Sequence, residues 1–248
     1  STPLHRLNIG GSAVGTGINT HPSYAKMMSA ELTNITGLKL TSPRNLVELA
    51  ESSAGFSFFA GTMKALVLEL GKIASDLRLM ASGPTSGFNE ITLPAVQPGS
   101  SIMPGKVNPV MLEMFNQVCY QVAGQMECAI LACQAGQFQM NVMLPVVAYC
   151  FNHSLKILAG ALVQLTEKCI KGIVVNEDVC IRYYESSPSI ATALSPIIGY
   201  EKTADLVKKA VMEKRPILEV IRESGLFTEK QLSKIFNPEK LTKPTSLI

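Results

Sequence analysis

One loop of the chain combines residue types that can bind an anion. It reads PGSSIMPGKVNP and occupies residues 98–109. Gly99 and Gly105 permit backbone dihedral angles closed to other residues, so the loop could hinge or bring its amides close to a ligand. The adjacent residues Ser100 and Ser101 could present hydroxyl and N–H groups to an anion. We therefore expect this loop to be functional.

A positive charge and an amide side chain follow in the same loop, at Lys106 and Asn108. A helix is predicted to begin near Val110. Because a helix N-terminus attracts anions, its combination with a lysine and an asparagine predicts a carboxylate-binding corner. One alternative stays open from spacing alone, a capped loop whose Ser and Asn side chains only satisfy backbone groups.

The sequence does not indicate a metal or nucleotide site. The three histidines lack helical ligand spacing and the six cysteines form no CxxC pair, so no metal and no cofactor is predicted. The glycine-rich stretch at residues 10–17 lacks the GK[ST] ending of a phosphate-binding loop. The cysteines stand in apolar stretches and are predicted to be reduced and in the core; they are Cys119, Cys128, Cys133, Cys150, Cys169 and Cys180.

Composition excludes other classes of protein. The 248 residues are 47% hydrophobic and 17% charged, which is typical of a globular chain. The net charge is only +3 and no basic run occurs, so nucleic-acid binding is not expected. No uninterrupted apolar stretch approaches the roughly 20 residues that span a bilayer. The sequence therefore predicts a soluble, cytoplasmic protein with no membrane partner.

Three long helices are predicted around the loop. Arg44–Met80 has no proline, and Ser42 with Pro43 would supply an N-cap and a first-turn proline, which predicts one helix of about ten turns. Val110–Gln134 and Leu144–Lys171 are the other two. Apolar residues recur at three-four spacing, which is typical of helices that pack together; they are Met63, Leu66, Leu70, Ile73, Leu77 and Met80, then Leu155, Leu158, Leu162, Leu165 and Cys169.

After Gly172 the pattern changes to short helices, predicted at 177–185, 202–214, 216–224 and 228–236. Thr228 and Gln231 fit a capping box. No strand pattern is convincing, so the predicted class is all-α. Residues 1–172 would form a long-helix bundle that includes the loop, and 173–248 a small helical C-terminal domain. Apolar seams this long normally pair with further helices, from missing chain or from neighbouring subunits.

The loop also resembles a known family. It matches GSSxMPxKxN, the signature of the fumarase/aspartase superfamily, at every defined position. Further segments of this type extend the resemblance from about residue 8 to residue 244; they are NIGGSAVGTGIN, DLRLMASGPTSGFNE, AGQFQMNVM and LTKP. Within the superfamily, NPV at 108–110 and NQVCYQVAG at 116–124 resemble the aspartase branch.

The resemblance implies a fold, an assembly and a reaction. The fold is a central helical bundle with a small C-terminal domain, assembled as a homotetramer whose active sites are shared between subunits. The substrate is a small dicarboxylate, L-aspartate. Proton abstraction next to one carboxylate gives an aci-carboxylate, which expels ammonia to leave fumarate.

It also implies roles for residues of the loop. Ser100 would be the base, activated by its surroundings because a free hydroxyl is a poor base. Lys106 would hold the carboxylate whose charge grows in the transition state. Asn108 would orient the same group, and Ser101 and Met103 would line the pocket. Glu113 would pair with a histidine from another region; the alternative is a solvated glutamate favoured by the helix dipole.

Several departures leave alternatives open. The chain is about half the usual family length, and motifs of the SSNDxxPT and GRTH types do not occur in it. We therefore expect a C-terminal fragment that is inactive alone. Thr85, Gln125 with Met126, and Leu144 replace residues usual in the family. The other hypotheses are a fumarate hydratase or another lyase of the superfamily, and an inactive helical scaffold.

Overall fold

The computed structural model describes residues 3–244, which divide into two compact units. The first contains residues up to 88 together with 93–173, and the second contains 89–92 together with 174 onward. The chain therefore leaves the first unit for four residues before the signature loop, a feature that the sequence did not indicate. Within the described residues helices dominate, so the predicted all-α class is confirmed.

The first unit consists mainly of three long helices, α3 (Ala54–Met80), α4 (Val110–Gln134) and α5 (Leu144–Lys168), with α4 packed against both of the others. Its other α-helices are α1 (Tyr24–Thr36) and α2 (Leu46–Glu51), and short 3₁₀ helices occur at Pro3–His5 and Ile170–Gly172. Because α4 has neighbours on two sides, it contributes the largest set of buried residues, among them Leu112, Phe115, Val122 and Met126.

The predicted single helix from Arg44 to Met80 is wrong, because Ser52 and Ser53 interrupt it. Ser52 is extended, with φ −96° and ψ 120°, and its hydroxyl accepts the N–H of Ala54 at 3.3 Å. A serine side chain that satisfies a nearby backbone group offers the chain an alternative to the helix.

The predicted N-cap at Ser42 is also wrong. Asn45 caps the first segment instead, since its side chain accepts the N–H of Glu48 at 3.2 Å. Asparagine is among the best N-caps, and here it lies directly before the first helical residue.

The predicted packing seam is only partly correct. On α3 the buried face includes small residues, Ala60, Gly71 and Ala74, which let α4 approach closely. Leu66 and Ile73 of the predicted seam are 47% and 52% exposed in this chain. On α5, likewise, Leu158 and Leu165 are buried while Leu155 and Leu162 are exposed.

Helix α5 has no uninterrupted apolar run of about 20 residues, as the sequence indicated, because Asn152, His153 and Lys156 lie within it. The segment Leu144–Gly172 is long and apolar enough to cross a membrane by length and composition, with a mean hydropathy of 1.5 over its most apolar window. One face of α5 packs in the core of the first unit, through Val147, Leu158 and Leu165. Core helices of globular proteins pass the same test of length and composition.

All six cysteines are free thiols, as predicted, but they are not all in the core. Cys128 is exposed and Cys180 is partly buried. Burial raises the pKa of the thiols of Cys119, Cys133 and Cys169. Those three thiols are therefore held in the protonated, unreactive form.

The second unit is built of short helices and two short strands that the sequence analysis missed. Its elements are β1 (Ile91–Thr92), β2 (Val174–Val175), α6 (Glu177–Ser186), a 3₁₀ helix (Pro188–Leu194), α7 (Ser195–Ile198), α8 (Tyr200–Glu213), α9 (Ile217–Glu223), α10 (Glu229–Ile235) and α11 (Pro238–Leu241). The strands pair antiparallel, with Ile91 opposite Val175. The predicted capping box of Thr228 and Gln231 is present.

Arg215 lies at the centre of an exposed ion-pair cluster in this unit. Its guanidinium donates to both carboxylate oxygens of Glu223 and contacts Glu213 at 3.3 Å and Glu219 at 3.4 Å. The hydrogen bonds from Arg215 lower the pKa of Glu223, while those carboxylates raise the pKa of Arg215. The cluster connects the end of α8 to α9.

We expect Arg215→Met to lower the midpoint of thermal unfolding of the second unit by a few degrees at neutral pH. Because the folded-state pKa of Glu223 is depressed, its contribution is present above the unfolded-state pKa and is lost as the pH falls through the folded-state pKa. The difference between the variant and the original chain should therefore shrink in acid. Calorimetry at several pH values measures it, with exposed Arg182→Met as the control; an equal difference at all pH values would contradict the assignment.

Candidate active site

Two hydrogen bonds close the base of the signature loop. The N–H of Gly99 donates to the carbonyl of Lys106 at 2.8 Å, and the side-chain amide of Asn108 donates to the carbonyl of Gly99 at the same distance. Residues 100–105 lie between these anchors, and Gly105 has φ +78°, which favours glycine. The loop is thus held at its base, and within it the N–H of Lys106 donates to the carbonyl of Met103 at 3.3 Å.

Gly99 is required by close backbone packing. A Cβ placed there would lie 2.4 Å from the carbonyl oxygen of Lys106, which is backbone and cannot rotate away. The carbonyl of Lys106 that this Cβ would meet is also the acceptor of the hydrogen bond from the Gly99 N–H.

We expect Gly99→Ala to open the base of the loop. Amide hydrogen exchange in residues 98–107 should accelerate about fivefold to tenfold, the effect of losing one net hydrogen bond of about 1 kcal/mol. Gly160→Ala is the matched control, since a Cβ at that helical glycine meets nothing within 4 Å. Unchanged exchange in the Gly99 variant would show that the loop tolerates a side chain at its base.

The hydroxyl of Ser100 is held by the loop itself. Its Oγ accepts the N–H of Ile102 at 3.2 Å and the N–H of Met103 at 3.1 Å. Two N–H donors aimed at one oxygen stabilise negative charge on it. The Oγ thus satisfies two backbone N–H groups of its own loop, which is also the arrangement that the capped-loop alternative predicts.

A cleft of about 470 Å³ lies against this loop. Among its lining residues are Ser100, Met103, Lys106, Gly99 and Gly105, which brings five of the eight predicted site residues together. In the part of the chain that the structure describes, no carboxylate lies within ion-pair distance of the Lys106 ammonium. Lys106 is exposed, so its charge is accessible to an anionic ligand.

The remaining predicted residues lie outside the cleft lining. Ser101 is exposed, and Asn108 is partly buried with its amide donating to Gly99. The N–H of Val110 donates to the carbonyl of Asn108 at 2.8 Å, and that of Glu113 to the carbonyl of Pro109 at 3.0 Å. These first amides of α4 are thus occupied within the chain, and the anion-binding charge nearest the cleft is that of Lys106.

Glu113 lies on the first turn of α4, where Arg78 of α3 approaches it. The guanidinium of Arg78 lies 3.8 Å from the Glu113 carboxylate and also donates to Asn116 at 3.4 Å. Asn116 is buried, and its amide donates to the carbonyl of Gly71 at 2.8 Å. Asn116 therefore joins α4 to α3, and Arg78 lies between Asn116 and Glu113.

The sequence analysis missed Arg78 and Asn116. Their side chains meet only because α3 and α4 pack with Gly71 at the contact, a register that no local pattern specifies. The Nε of Arg78 is buried and has no partner among the described residues. Over the same residues, no group of three or more His, Cys, Asp or Glu side chains could hold a metal ion.

Comparison with known proteins places this chain in a family. A lyase family model matches residues 3–124, and a model of the fumarase C C-terminus matches residues 190–243. An aspartate ammonia-lyase of Helicobacter pylori is 45% identical over 97% of this chain and 52% of its own length. The chain belongs to the fumarase/aspartase superfamily. A Bacillus subtilis aspartate ammonia-lyase is 41% identical over 97% of this chain and 51% of its own length.

Solved structures agree with membership in the superfamily. A Brucella melitensis fumarate lyase:delta crystallin bound to cobalt is 42% identical, with a TM-score of 0.90 over 97% of this chain and 52% of that one. A class II fumarase from Schistosoma mansoni is 28% identical, with a TM-score of 0.91 over 99% of this chain and 54% of that one. The chain thus spans about half the length of the superfamily members that it matches.

Proposed function

We propose that this chain supplies the signature loop of an aspartate ammonia-lyase, which eliminates ammonia from L-aspartate to give fumarate. The observation that carries the proposal is its 41% to 45% identity to relatives that are aspartate ammonia-lyases. The arrangement of Ser100 and Lys106 along one cleft supports it, because the reaction needs a base and a cation for a dicarboxylate.

In the proposed reaction, Ser100 removes a proton from the carbon next to a carboxylate. The electron pair of that C–H bond moves into the carboxylate, which becomes a doubly charged aci-carboxylate. The pair then returns to form the double bond of fumarate as the C–N bond breaks and ammonia leaves. The amides of Ile102 and Met103 stabilise the charged serine oxygen before the transfer, through the hydrogen bonds described above.

Lys106 is proposed to bind the carboxylate on which charge accumulates. Its effect would be greater in the transition state than on the bound substrate, because the added charge appears only there. The role of Asn108 as a carboxylate-orienting group, and those of Ser101 and Met103 as pocket residues, stay predictions. In the same way, Gly99 and Gly105 are proposed as loop hinges.

Glu113 is proposed as a second catalytic residue that partners a group from outside this chain. Its position 3.8 Å from the guanidinium of Arg78 supports a carboxylate held in one orientation. The alternative of a solvated glutamate at a helix start predicts no loss of activity when Glu113 is neutralised.

The whole assembly is also a proposal. We infer a homotetramer with shared sites, supported by the exposed apolar residues Leu66, Ile73 and Leu155 on the long helices. The chain alone is proposed to be inactive, because it spans about half of its relatives. The division into a bundle domain at 1–172 and a C-terminal domain at 173–248, and a soluble, cytoplasmic location, stay predictions.

A fumarate hydratase is the second candidate function. The observation that favours it is the structural similarity to the Schistosoma mansoni class II fumarase, at a TM-score of 0.91. Dehydration of L-malate, the reverse of fumarate hydration, and deamination of L-aspartate begin with the same proton abstraction and differ in the leaving group, which is water or ammonia. An inactive helical scaffold is the alternative of a different class.

A hybrid enzyme tests these candidates. In it, this chain replaces the matching half of the Helicobacter pylori aspartate ammonia-lyase, and fumarate is followed by ultraviolet absorbance with L-aspartate or L-malate as substrate. Release from L-aspartate alone is expected. Release from L-malate alone would establish the hydratase instead.

Two controls complete the experiment. A second hybrid, built on the Bacillus subtilis enzyme, guards against misfolding of one partner. If both hybrids are folded and neither releases fumarate from either substrate, the enzyme proposal is overturned in favour of the scaffold. Fumarate release by this chain on its own would overturn the proposed need for the other half.

A further inference from the structure

A buried hydrogen bond fixes the register between α4 and α5. The hydroxyl of Ser154 donates to the side-chain oxygen of Gln125 at 2.6 Å, and both side chains are buried. The two helices follow each other through a short turn and pack along their lengths. One helical turn from this bond toward the connecting turn lie Cys128 on α4 and Cys150 on α5, three and four residues away.

The two thiols share one groove outside the candidate active site. It has a volume of about 340 Å³ and is lined on one side by residues of α4 and on the other by residues of α5, including Cys128 and Cys150. Cys128 is exposed, whereas Cys150 is only 2% exposed. Burial, together with a hydrogen bond to the Cys128 thiol, raises the pKa of Cys150 to about 11.

This shared groove distinguishes the pair from the other cysteines. Cys119, Cys133 and Cys169 are buried. The Cys180 thiol donates to the carbonyl of Glu90 at 3.6 Å. Among the six cysteines, Cys128 therefore combines exposure with a second thiol beside it.

We propose that Cys128 and Cys150 form a dithiol site that low-molecular-weight disulfides oxidise to an intramolecular disulfide. The exposed Cys128 reacts first: its thiolate attacks one sulfur of the disulfide, forms a mixed disulfide and releases one thiol. Cys150 then loses its proton and attacks the Cys128 sulfur, which releases the second thiol. The protein gives up two protons and two electrons, and the small disulfide accepts them to become two thiols.

The order of the steps follows from burial. Attack on the small disulfide needs a thiolate that solvent can reach, which Cys128 provides and Cys150 does not. The second step needs no access from solvent, because Cys150 lines the same groove as Cys128. The high proton affinity of Cys150 makes this second step the slower one.

The product would connect α4 to α5 one turn above the Gln125–Ser154 hydrogen bond. A disulfide there would hold the two helices in the register that this bond sets, and would close the chain around the turn at 135–143. Such a connection stabilises mainly by restricting the unfolded chain. The signature loop takes no part in it, so the site functions independently of the proposed lyase activity.

Mass spectrometry of the whole chain treated with oxidised glutathione tests the proposal. The expected product has lost two hydrogen atoms, carries no glutathione, and yields a peptide that joins residues 128 and 150. In Cys150→Ser the reaction should stop at one bound glutathione on Cys128. In Cys128→Ser oxidation of Cys150 should fall at least tenfold.

Cys180→Ser serves as the matched control and should oxidise like the original chain. Circular dichroism verifies that each variant is folded, and Cys128→Ala and Cys150→Ala replace any serine variant that is not. A stable glutathione adduct on the original chain, a disulfide between other cysteines, a disulfide between two chains, or no reaction would each overturn the proposal.

Discussion

Ser100→Ala in the hybrid enzyme is expected to reduce fumarate release from L-aspartate by about 100- to 10,000-fold, the range for loss of a positioned general base. The reduction should appear in kcat, since the side chain of Ser100 accepts the proton in the transition state. The KM for L-aspartate should change little, because Lys106 and the rest of the cleft remain. Steady-state kinetics measures both constants.

A matched serine distinguishes chemistry from folding. Ser233→Ala removes an exposed hydroxyl of the second unit, which donates to the carbonyl of Lys230 at 3.1 Å, and should leave kcat unchanged. Ser100→Ala also removes an acceptor for the amides of Ile102 and Met103, so its unfolding midpoint is compared with that of the original hybrid. Activity that persists in a folded Ser100→Ala hybrid would refute the assigned base.

The site was predictable where local chemistry determines it. The loop at 98–109 contains its own anchors, and its glycine at 99 is required by a contact with residue 106 in the same loop. Short-range patterns therefore identified it. The capping box at Thr228 was predictable for the same reason, since both of its members lie within one turn.

Features that depend on the packing of distant segments were not predictable. The contact of Arg78 with Glu113 and Asn116 joins two helices through a register set by Gly71. The α3 face that packs against α4 contains small residues, whereas the apolar pattern pointed to Leu66 and Ile73. The pairing of β1 with β2 joins positions more than 80 residues apart along the chain. In each case the partner is absent from the local sequence.

One helix connects the fold to the site, because α4 carries Glu113 and Asn116 on its first turns and packs against both neighbouring helices. Between these two residues, Phe115 is 1% exposed and faces the core of the first unit. Phe115 packs α4 into the core and is only two residues from Glu113, so the packing of α4 also determines where Glu113 lies. A change at Phe115 should therefore disturb stability first.

Phe115→Ala is expected to lower the free energy of unfolding of the first unit by about 3–5 kcal/mol, the sum of the lost burial of the ring and the cavity it leaves. Urea denaturation followed by circular dichroism measures the change. Phe138→Ala is the matched control, because that ring is 86% exposed and its loss should cost less than about 0.5 kcal/mol. Equal effects of the two substitutions would mean that the contacts around Phe115 do not hold α4 against its neighbours.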